Sequence, residues 1–304
     1  MSMRRLIALS WRMLRVLLVV WVMGYILTTG LATTYLSRAF PTFDVRKTPD
    51  QYGVAYQAVR IPSRDAGIEL AAWFLPQPTS TKAVLLVHGK DASRTSELQG
   101  GFVEFAAALH RRGFNILMID LRGHGESTPA LVSFGLRERY DVLGAADWLK
   151  ARGFGRGSIG VLGVSLGGAS SIGAMAESDD IAALITDCSF ADFGPMARTV
   201  WSQLTGLPQA FLWPALWLRE RMGGLNIDLA KPVEDMRKLV GRPVLIIHGT
   251  NDILVPVAQG RMLHAANLEA EYWEVAGTSH GGSYRQNPKL YVERVAEFFT
   301  AHLN

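Results

Sequence analysis

The stretch SIGVLGVSLGGASSIGAMA, residues 158–176, decides the fold of this chain. It begins with a short apolar run of the strand type, residues 158–162, and ends with small residues of the helix type, residues 168–176. Between them lies Gly163-Val164-Ser165-Leu166-Gly167, a G-x-S-x-G pentapeptide. A serine on a sharp turn between a strand and a helix is the pattern of a nucleophile elbow. The pattern alone is weak because the chain holds 30 glycines, so the surrounding sequence decides its meaning.

Strand and helix patterns alternate along the chain from residue 54 onward. The apolar runs predict strands over residues 54–61, 68–75, 83–87, 115–119, 159–162, 182–186, 243–247 and 270–275. Helical patterns cover residues 97–112, 137–152, 168–176, 257–267 and 288–302. This alternation predicts an α/β protein with a mostly parallel central sheet flanked by helices. In such a sheet the chemistry lies outside the carboxyl ends of the strands.

Polar and glycine residues follow these strands at the predicted edge. They include His88-Gly89, the segment from Asp120 to Ser127, His248-Gly249-Thr250-Asn251-Asp252 and Ser279-His280-Gly281. Together with the pentapeptide, these motifs resemble the α/β-hydrolase family over residues 54–304. Within that family the chain is most similar to membrane-anchored or exported serine hydrolases. The resemblance implies the α/β-hydrolase fold with a helical cap inserted between two core strands.

Acyl transfer needs a nucleophile, a base that takes its proton and an acid that orients the base. In this fold they follow the chain order serine, acid, histidine, which Ser165, Asp252 and His280 obey. Asp187, after the strand 182–186, is the alternative acid. His88, His124 and His248 each lie in a glycine-containing turn, where we expect hydrogen bonds that hold the turn.

Backbone N–H groups are the expected donors to the oxyanion of such a site. The predicted donors are the N–H of Leu166, which follows the nucleophile, and the N–H of Lys90, after the strand 83–87. The chain has one cysteine, Cys188, which excludes a multi-cysteine metal site. We expect no metal and no cofactor, since no dinucleotide-binding fingerprint is present.

The predicted cap, residues 189–240, is rich in aromatic side chains. Ligand pockets are mostly apolar and aromatic, so Trp201, Phe211, Trp213 and Trp217 are candidates for a substrate pocket. The alternative is that these rings only pack the cap onto the core.

The N-terminal segment predicts a membrane anchor. Residues 16–36 are 21 residues without a charge, enough for one transmembrane helix. Arginines 4, 5, 12 and 15 precede the span. This asymmetry predicts that residues 1–15 form a cytoplasmic tail and that the hydrolase domain, residues 54–304, lies on the non-cytoplasmic side. Residues 37–53 are predicted to form a linker between the span and the domain. A cleavable signal peptide is the alternative, with residues 16–27 as its apolar region and Gly30-Leu31-Ala32 as its cleavage site.

The net charge of +4 does not indicate nucleic-acid binding. Five of the 31 basic residues lie within residues 1–38, which hold no acid, so the remaining 26 face 27 acidic residues. The globular part therefore carries no excess of positive charge for a phosphate backbone.

These patterns predict a serine hydrolase that cleaves a carboxylic ester, thioester or amide through an acyl-enzyme. The apolar cap and the anchor favour a small-molecule substrate of the acyl or lipid-like class. A serine peptidase or an acyltransferase would use the same residues, and a non-catalytic binding protein tethered to the membrane is the alternative of another class. The sequence leaves the acyl length and the oligomeric state open.

Overall fold

The computed structural model describes residues 3–40, 44, 46–223 and 226–304. Across these residues eight strands form one sheet, in the order β1-β2-β4-β3-β5-β6-β7-β8. Their bounds are β1 Gln57–Pro62, β2 Glu69–Leu75, β3 Ala83–Val87, β4 Asn115–Ile119, β5 Ile159–Val164, β6 Ile181–Asp187, β7 Val244–Gly249 and β8 Glu271–Val275. The β1–β2 and β2–β4 pairs are antiparallel and all other pairs are parallel, which confirms the predicted mostly parallel sheet.

Helices connect the strands. Their bounds are α1 Met3–Ser37, α2 Phe102–Arg111, α3 Arg139–Lys150, α4 Leu166–Glu177, α5 Phe193–Thr205, α6 Leu212–Gly223, α7 Pro232–Met236, α8 Val257–Ala266 and α9 Pro288–His302. Short helical turns lie at Pro49–Tyr52, Glu97–Gly100, Gln209–Phe211, Ile227–Leu229, Arg237–Leu239 and Ser283–Gln286.

Helices cover both faces of the sheet, which explains why its central strands are continuous apolar runs. Alternate residues of the strands, such as Val84 and Leu86 on β3, share one core cluster with α2 and α9. The intervening residues, such as Leu85, point to the opposite face because side chains alternate along a strand. Helices α3 and α4 contact each other and the strands but contribute nothing to that cluster, so they lie on this second face.

The chain divides into two compact units. One contains residues 38–200 and 227–304, with the whole sheet, and the other contains residues 1–37 and 201–226. In the smaller unit, α1 and α6 pack together through Ala32, Leu36, Leu212 and Ala215. Residues 10–37 of α1 are long and apolar enough to cross a membrane by length and composition. The helix begins at Met3, so most of the predicted N-terminal tail is helical.

The predicted helix over residues 97–112 is wrong in its first part. Leu98 and Gln99 have left-handed backbones, with φ of 52° and 54°, and α2 begins only at Phe102. Gly101 lies against the ring of Tyr284, where a Cβ on residue 101 would come within 2.5 Å of a ring carbon. Glycine at positions 100 and 101 permits the sharp turn and the close approach to Tyr284, so no regular helical turn forms before Phe102.

A buried ion pair ties the loop after β4 to helix α3. Arg122 is 2% exposed, and its guanidinium donates to both carboxylate oxygens of Asp141, which is fully buried. Asp65 and Ser63 accept its remaining N–H groups at 2.5 and 3.2 Å. These contacts attach the turn between β1 and β2 to the same arginine.

Replacing Asp141 by alanine leaves the Arg122 charge buried and underpaired. We expect Asp141→Ala to lower the free energy of unfolding by about 3–5 kcal/mol. The matched control is Asp147→Ala, because the Arg64–Asp147 pair is also bidentate but has side chains 39% and 45% exposed. It should cost less than about 1 kcal/mol. Urea unfolding measures both, and equal losses would contradict the assignment.

Candidate active site

Ser165 lies on a strained turn between β5 and α4. Its backbone has φ 52° and ψ −115°, a conformation that residues other than glycine rarely adopt. A Cβ on residue 163 would come within 2.4 Å of the Gly167 carbonyl oxygen, and one on residue 167 within 2.4 Å of the Val87 oxygen. On residue 168 it would come within 1.9 Å of Ser189 Oγ. Close backbone approaches therefore require glycine at positions 163 and 167, and the Ser189 side chain requires it at position 168.

Asp252 and His280 form a hydrogen-bonded pair at the carboxyl ends of β7 and β8. His280 Nδ1–H donates to Asp252 Oδ2 at 2.7 Å. The other oxygen of Asp252 accepts the N–H groups of Leu254 and Val255 at 2.9 and 2.8 Å. The Asp252 side chain is fully buried and that of His280 is 24% exposed. The turn after β7 therefore fixes the acid, and the acid fixes the orientation of the imidazole.

The Nε2 edge of the imidazole faces the end of β6, which lies next to Ser165. His280 Nε2 lies 3.9 Å from Cys188 Sγ, and Cys188 directly follows β6. Ser165 N–H donates to the carbonyl of Asp187, the last residue of β6, at 2.8 Å. Parallel pairing of β5 with β6 thus brings the serine turn and the histidine loop to one edge of the sheet.

Asp187, the alternative acid, has a different partner. Its Oδ2 accepts a hydrogen bond from the Tyr291 hydroxyl at 2.9 Å, and its buried Oδ1 has no hydrogen-bond partner. Burial raises the pKa of Asp187 to about 7, although the Tyr291 hydroxyl and the charge of His280 oppose that shift. Asp252, and not Asp187, accepts the hydrogen bond of His280.

Opposing effects set the pKa of His280. Burial disfavours the imidazolium, but the hydrogen bond and charge of Asp252, with the charges of Glu97 and Asp187, outweigh it. The pKa of His280 is therefore raised above its usual value. A histidine held in this way is a stronger base than a free imidazole.

The two predicted oxyanion donors lie on either side of Ser165, one at the start of α4 and one on the loop after β3. Leu166 is the first residue of α4, where backbone N–H groups have no acceptor within the helix. Lys90 follows Gly89, whose Cα faces Ser165, since a Cβ there would lie 3.0 Å from Ser165 Cβ. The Lys90 ammonium pairs with Asp91 at 2.7 Å.

The histidines of the glycine turns hold those turns, as expected. His88 Nδ1–H donates to the Gly89 carbonyl at 2.7 Å, and His88 Nε2 accepts the Leu121 N–H at 3.0 Å. His124 bonds the Arg122 carbonyl and His248 the Val255 carbonyl, both at 2.8 Å.

The four aromatic residues predicted for a substrate pocket lie in the smaller unit, together with α1. Trp201 is buried and donates its indole N–H to the Pro208 carbonyl at 3.2 Å. Phe211 packs against Tyr25, with ring centroids 4.9 Å apart. Trp213 and Trp217 are 60% and 59% exposed. Two of the four rings thus pack around α1, and their role in a substrate pocket stays a prediction.

Glu97 is a buried acid at the site that the sequence analysis missed. Its Oε2 accepts the Gly89 N–H at 2.5 Å, and its Oε1 accepts the Leu98 N–H at 2.8 Å. The sequence signal was a carboxylate within a helical pattern, which is typical of an exposed helix face. The two glycines at positions 100 and 101 are the one indication that the pattern breaks there.

Within the described residues, Cys188, Asp252 and His280 offer ligand atoms within 4.8 Å of one another, as a metal ion would need. Burial, with the charges of nearby acids, raises the pKa of the Cys188 thiol well above its usual value, which disfavours the thiolate that binds metals. Asp252 and His280 already bond each other. The group fits a hydrogen-bonded acid and base better than a metal centre.

Comparison with known proteins agrees with this architecture. The sequence profile described as alpha/beta hydrolase fold matches residues 82–216. Protein YqkD of Bacillus subtilis is 30% identical over 194 residues, 61% of this chain and 62% of that protein. Protein bem46 of Schizosaccharomyces pombe is 26% identical over 217 residues, 70% of this chain and 66% of that protein. The chain thus spans less than two thirds of the length of either relative.

Solved structures show the same fold. An esterase of Pyrococcus furiosus superposes with a TM-score of 0.71 at 23% identity, covering 88% of this chain and 99% of that one. An esterase of a Rhodococcus species has a TM-score of 0.57 at 18% identity, covering 81% and 99%. The chain therefore has the alpha/beta hydrolase fold.

The raised pKa of Asp187 makes stability depend on pH. In the native state Asp187 stays protonated up to about pH 7, whereas in the unfolded state it releases its proton near the ordinary pKa of 3.8. Stability from this group is complete below pH 4 and is lost as pH rises toward 7, by up to about 1.4 kcal/mol per pH unit. We expect the melting temperature of Asp187→Asn, which keeps an acceptor for Tyr291, to fall less between pH 5 and 7 than that of the wild type.

The matched control for Asp187 is Asp179→Asn, because Asp179 is 73% exposed and should give the wild-type pH dependence. His280 also titrates in this range. Because the charge of Asp187 helps to raise the pKa of His280, Asp187→Asn reduces the His280 contribution in the same direction, whereas Asp179→Asn leaves it unchanged. Identical slopes for Asp187→Asn and the wild type would contradict the assignment.

Proposed function

We propose that this chain is a serine hydrolase that cleaves a carboxylic ester, thioester or amide through an acyl-enzyme. The observation that carries the proposal is the 2.7 Å hydrogen bond between Asp252 and His280, beside a serine in the strained elbow conformation. The three residues follow the chain order of this fold.

In this mechanism Ser165 Oγ attacks the acyl carbon while His280 Nε2 takes the hydroxyl proton. Asp252 holds the tautomer that carries its proton on Nδ1 and stabilises the imidazolium that forms. The N–H groups of Leu166 and Lys90 donate to the oxyanion. His280 then gives its proton to the leaving group, and water, activated by the same histidine, releases the acid from Ser165.

We propose an ester of an apolar acid as the substrate class. Two structural neighbours carry the name esterase, which favours an oxygen ester over an amide. Fold likeness alone does not define a substrate, so a panel of p-nitrophenyl esters of increasing chain length is the direct measurement.

The proposal predicts that Ser165→Ala abolishes turnover. Without the nucleophile, the hydrolysis rate should fall by about 10⁴-fold to 10⁶-fold, and labelling by a fluorophosphonate probe should disappear. The control is Ser178→Ala, at the other end of α4, which should keep both.

Several results would contradict the proposed ester hydrolysis. Absence of labelling in the wild type would favour a binding protein. Labelling without ester hydrolysis, but with peptide cleavage or acyl transfer to an alcohol, would favour the peptidase or the acyltransferase.

We also propose that α1 anchors the chain in a membrane, with residues 1–15 in the cytoplasm and residues 38–304 on the opposite side. The apolar stretch and the arginines before it support this orientation.

The orientation predicts that protease added outside right-side-out vesicles digests the hydrolase unit, whereas inverted vesicles protect it. Glutamine at all four arginines before the span should weaken that asymmetry. Protection from external protease would contradict the orientation. A soluble product that starts near residue 32 would show a cleaved signal peptide instead.

A further inference from the structure

A strained segment, Glu97–Leu98–Gln99, connects the loop after β3 with the loop that carries His280. Leu98 and Gln99 are consecutive non-glycine residues in the left-handed region, each at a cost of about 1–3 kcal/mol. Such a conformation persists only where surrounding contacts enforce it, and it is concentrated at functional sites. The side-chain contacts of Glu97 and Gln99 show which loops this strained conformation connects.

Glu97 fixes one of the two peptide planes that lead to the predicted oxyanion donor. Its Oε2 accepts the Gly89 N–H at 2.5 Å, which orients the peptide between His88 and Gly89. The His88 ring fixes the next peptide by donating to the Gly89 carbonyl. A trans peptide directs its N–H opposite to its carbonyl, so this bond sets the direction of the Lys90 N–H. Burial lowers the pKa of His88 well below its usual value, which keeps the ring neutral, as these bonds require.

Gln99 holds the other loop. Its Nε2 donates to Ser279 Oγ and to the His280 carbonyl, both at 3.3 Å. Glu97 also approaches this loop, since a Cβ on Gly281 would lie 3.6 Å from its Oε1. The segment thus contacts the loop of the oxyanion donor and the loop of the base.

Glu97 brings a charge as well as hydrogen bonds. Its side chain is almost buried, each carboxylate oxygen accepts a backbone N–H, and no ion pair of Glu97 is found among the described residues. The titratable groups around His280 are Asp252 on the β7 loop, Asp187 and Cys188 at the end of β6, His248 on β7 and Glu97. The charge of Glu97 favours the protonated imidazole.

We propose that Glu97 is a positioning residue for acyl transfer: it orients the oxyanion loop through Gly89, and its negative charge stabilises the His280 imidazolium. This rests on the proposed serine hydrolase. The reaction forms an imidazolium and an oxyanion together. Glu97 acts on the imidazolium through its charge and on the oxyanion through the backbone of the loop that it orients.

Two substitutions separate the two effects. Glu97→Gln keeps an oxygen that accepts the Gly89 N–H but removes the charge, so the acidic limb of kcat/KM against pH should move to lower pH. Glu97→Ala removes both, so kcat for a p-nitrophenyl ester should fall by about 10-fold to 100-fold, with KM changed less than about threefold. The matched control is Glu297→Gln, an exposed glutamate on α9, which should keep the wild-type profile.

The readouts distinguish the possible failures. An acidic limb of Glu97→Gln that coincides with that of the wild type would overturn the charge role, and a wild-type kcat in Glu97→Ala would overturn the positioning role. A uniform loss of rate without a pH shift in Glu97→Gln would show a merely structural residue. Should Glu97→Ala fail to fold, the pH profile of Glu97→Gln decides. Absence of fluorophosphonate labelling in the wild type would overturn the serine hydrolase, and with it this role.

Discussion

The site depends on one backbone conformation, the left-handed Ser165 at the end of β5. Its N–H is bonded to the end of β6, and its carbonyl accepts from Ala169 N–H and Ser189 Oγ. Both sides of the residue are thereby fixed by elements whose own positions follow from the buried sheet. The strain is sustained because relaxing it would break these bonds, and the neighbouring glycines follow from the close backbone approach.

Asp252 and Asp187, the two aspartates beside His280, differ in the number of hydrogen-bond donors that offset the cost of burying a carboxylate. Asp252 accepts two backbone N–H groups in addition to the imidazole, so its carboxylate is surrounded by donors. Burial raises the pKa of Asp187 to about 7, because a single donor, the Tyr291 hydroxyl, opposes that shift and the other oxygen has no partner. Hydrogen-bond donors, rather than distance from the sheet edge alone, decide which acid suits the imidazole.

The sequence predicted the sheet and the three candidate catalytic residues because each has a local signal. The runs of β3 and β4 agree residue for residue with the observed strands, since a strand buried on both faces is continuously apolar. Glu97 has no such signal, because its contacts with Gly89 and Leu98 form only where the helical pattern breaks at Leu98. The packing of Trp201 against α1 is likewise a tertiary choice that aromatic composition cannot specify.

Strain in this chain is concentrated at the candidate site. Of the six non-glycine residues with positive φ in the described part of the chain, all but Phe134 lie on the loops that border it: Asp91, Leu98, Gln99, Ser165 and Cys188. Each costs about 1–3 kcal/mol, so the set needs a core that over-determines the strand ends. Their distribution around both Ser165 and His280 implies that the fold holds these loops in one arrangement. In the proposed acyl transfer, donors and charges preorganised in this way would need no rearrangement when the oxyanion and the imidazolium form.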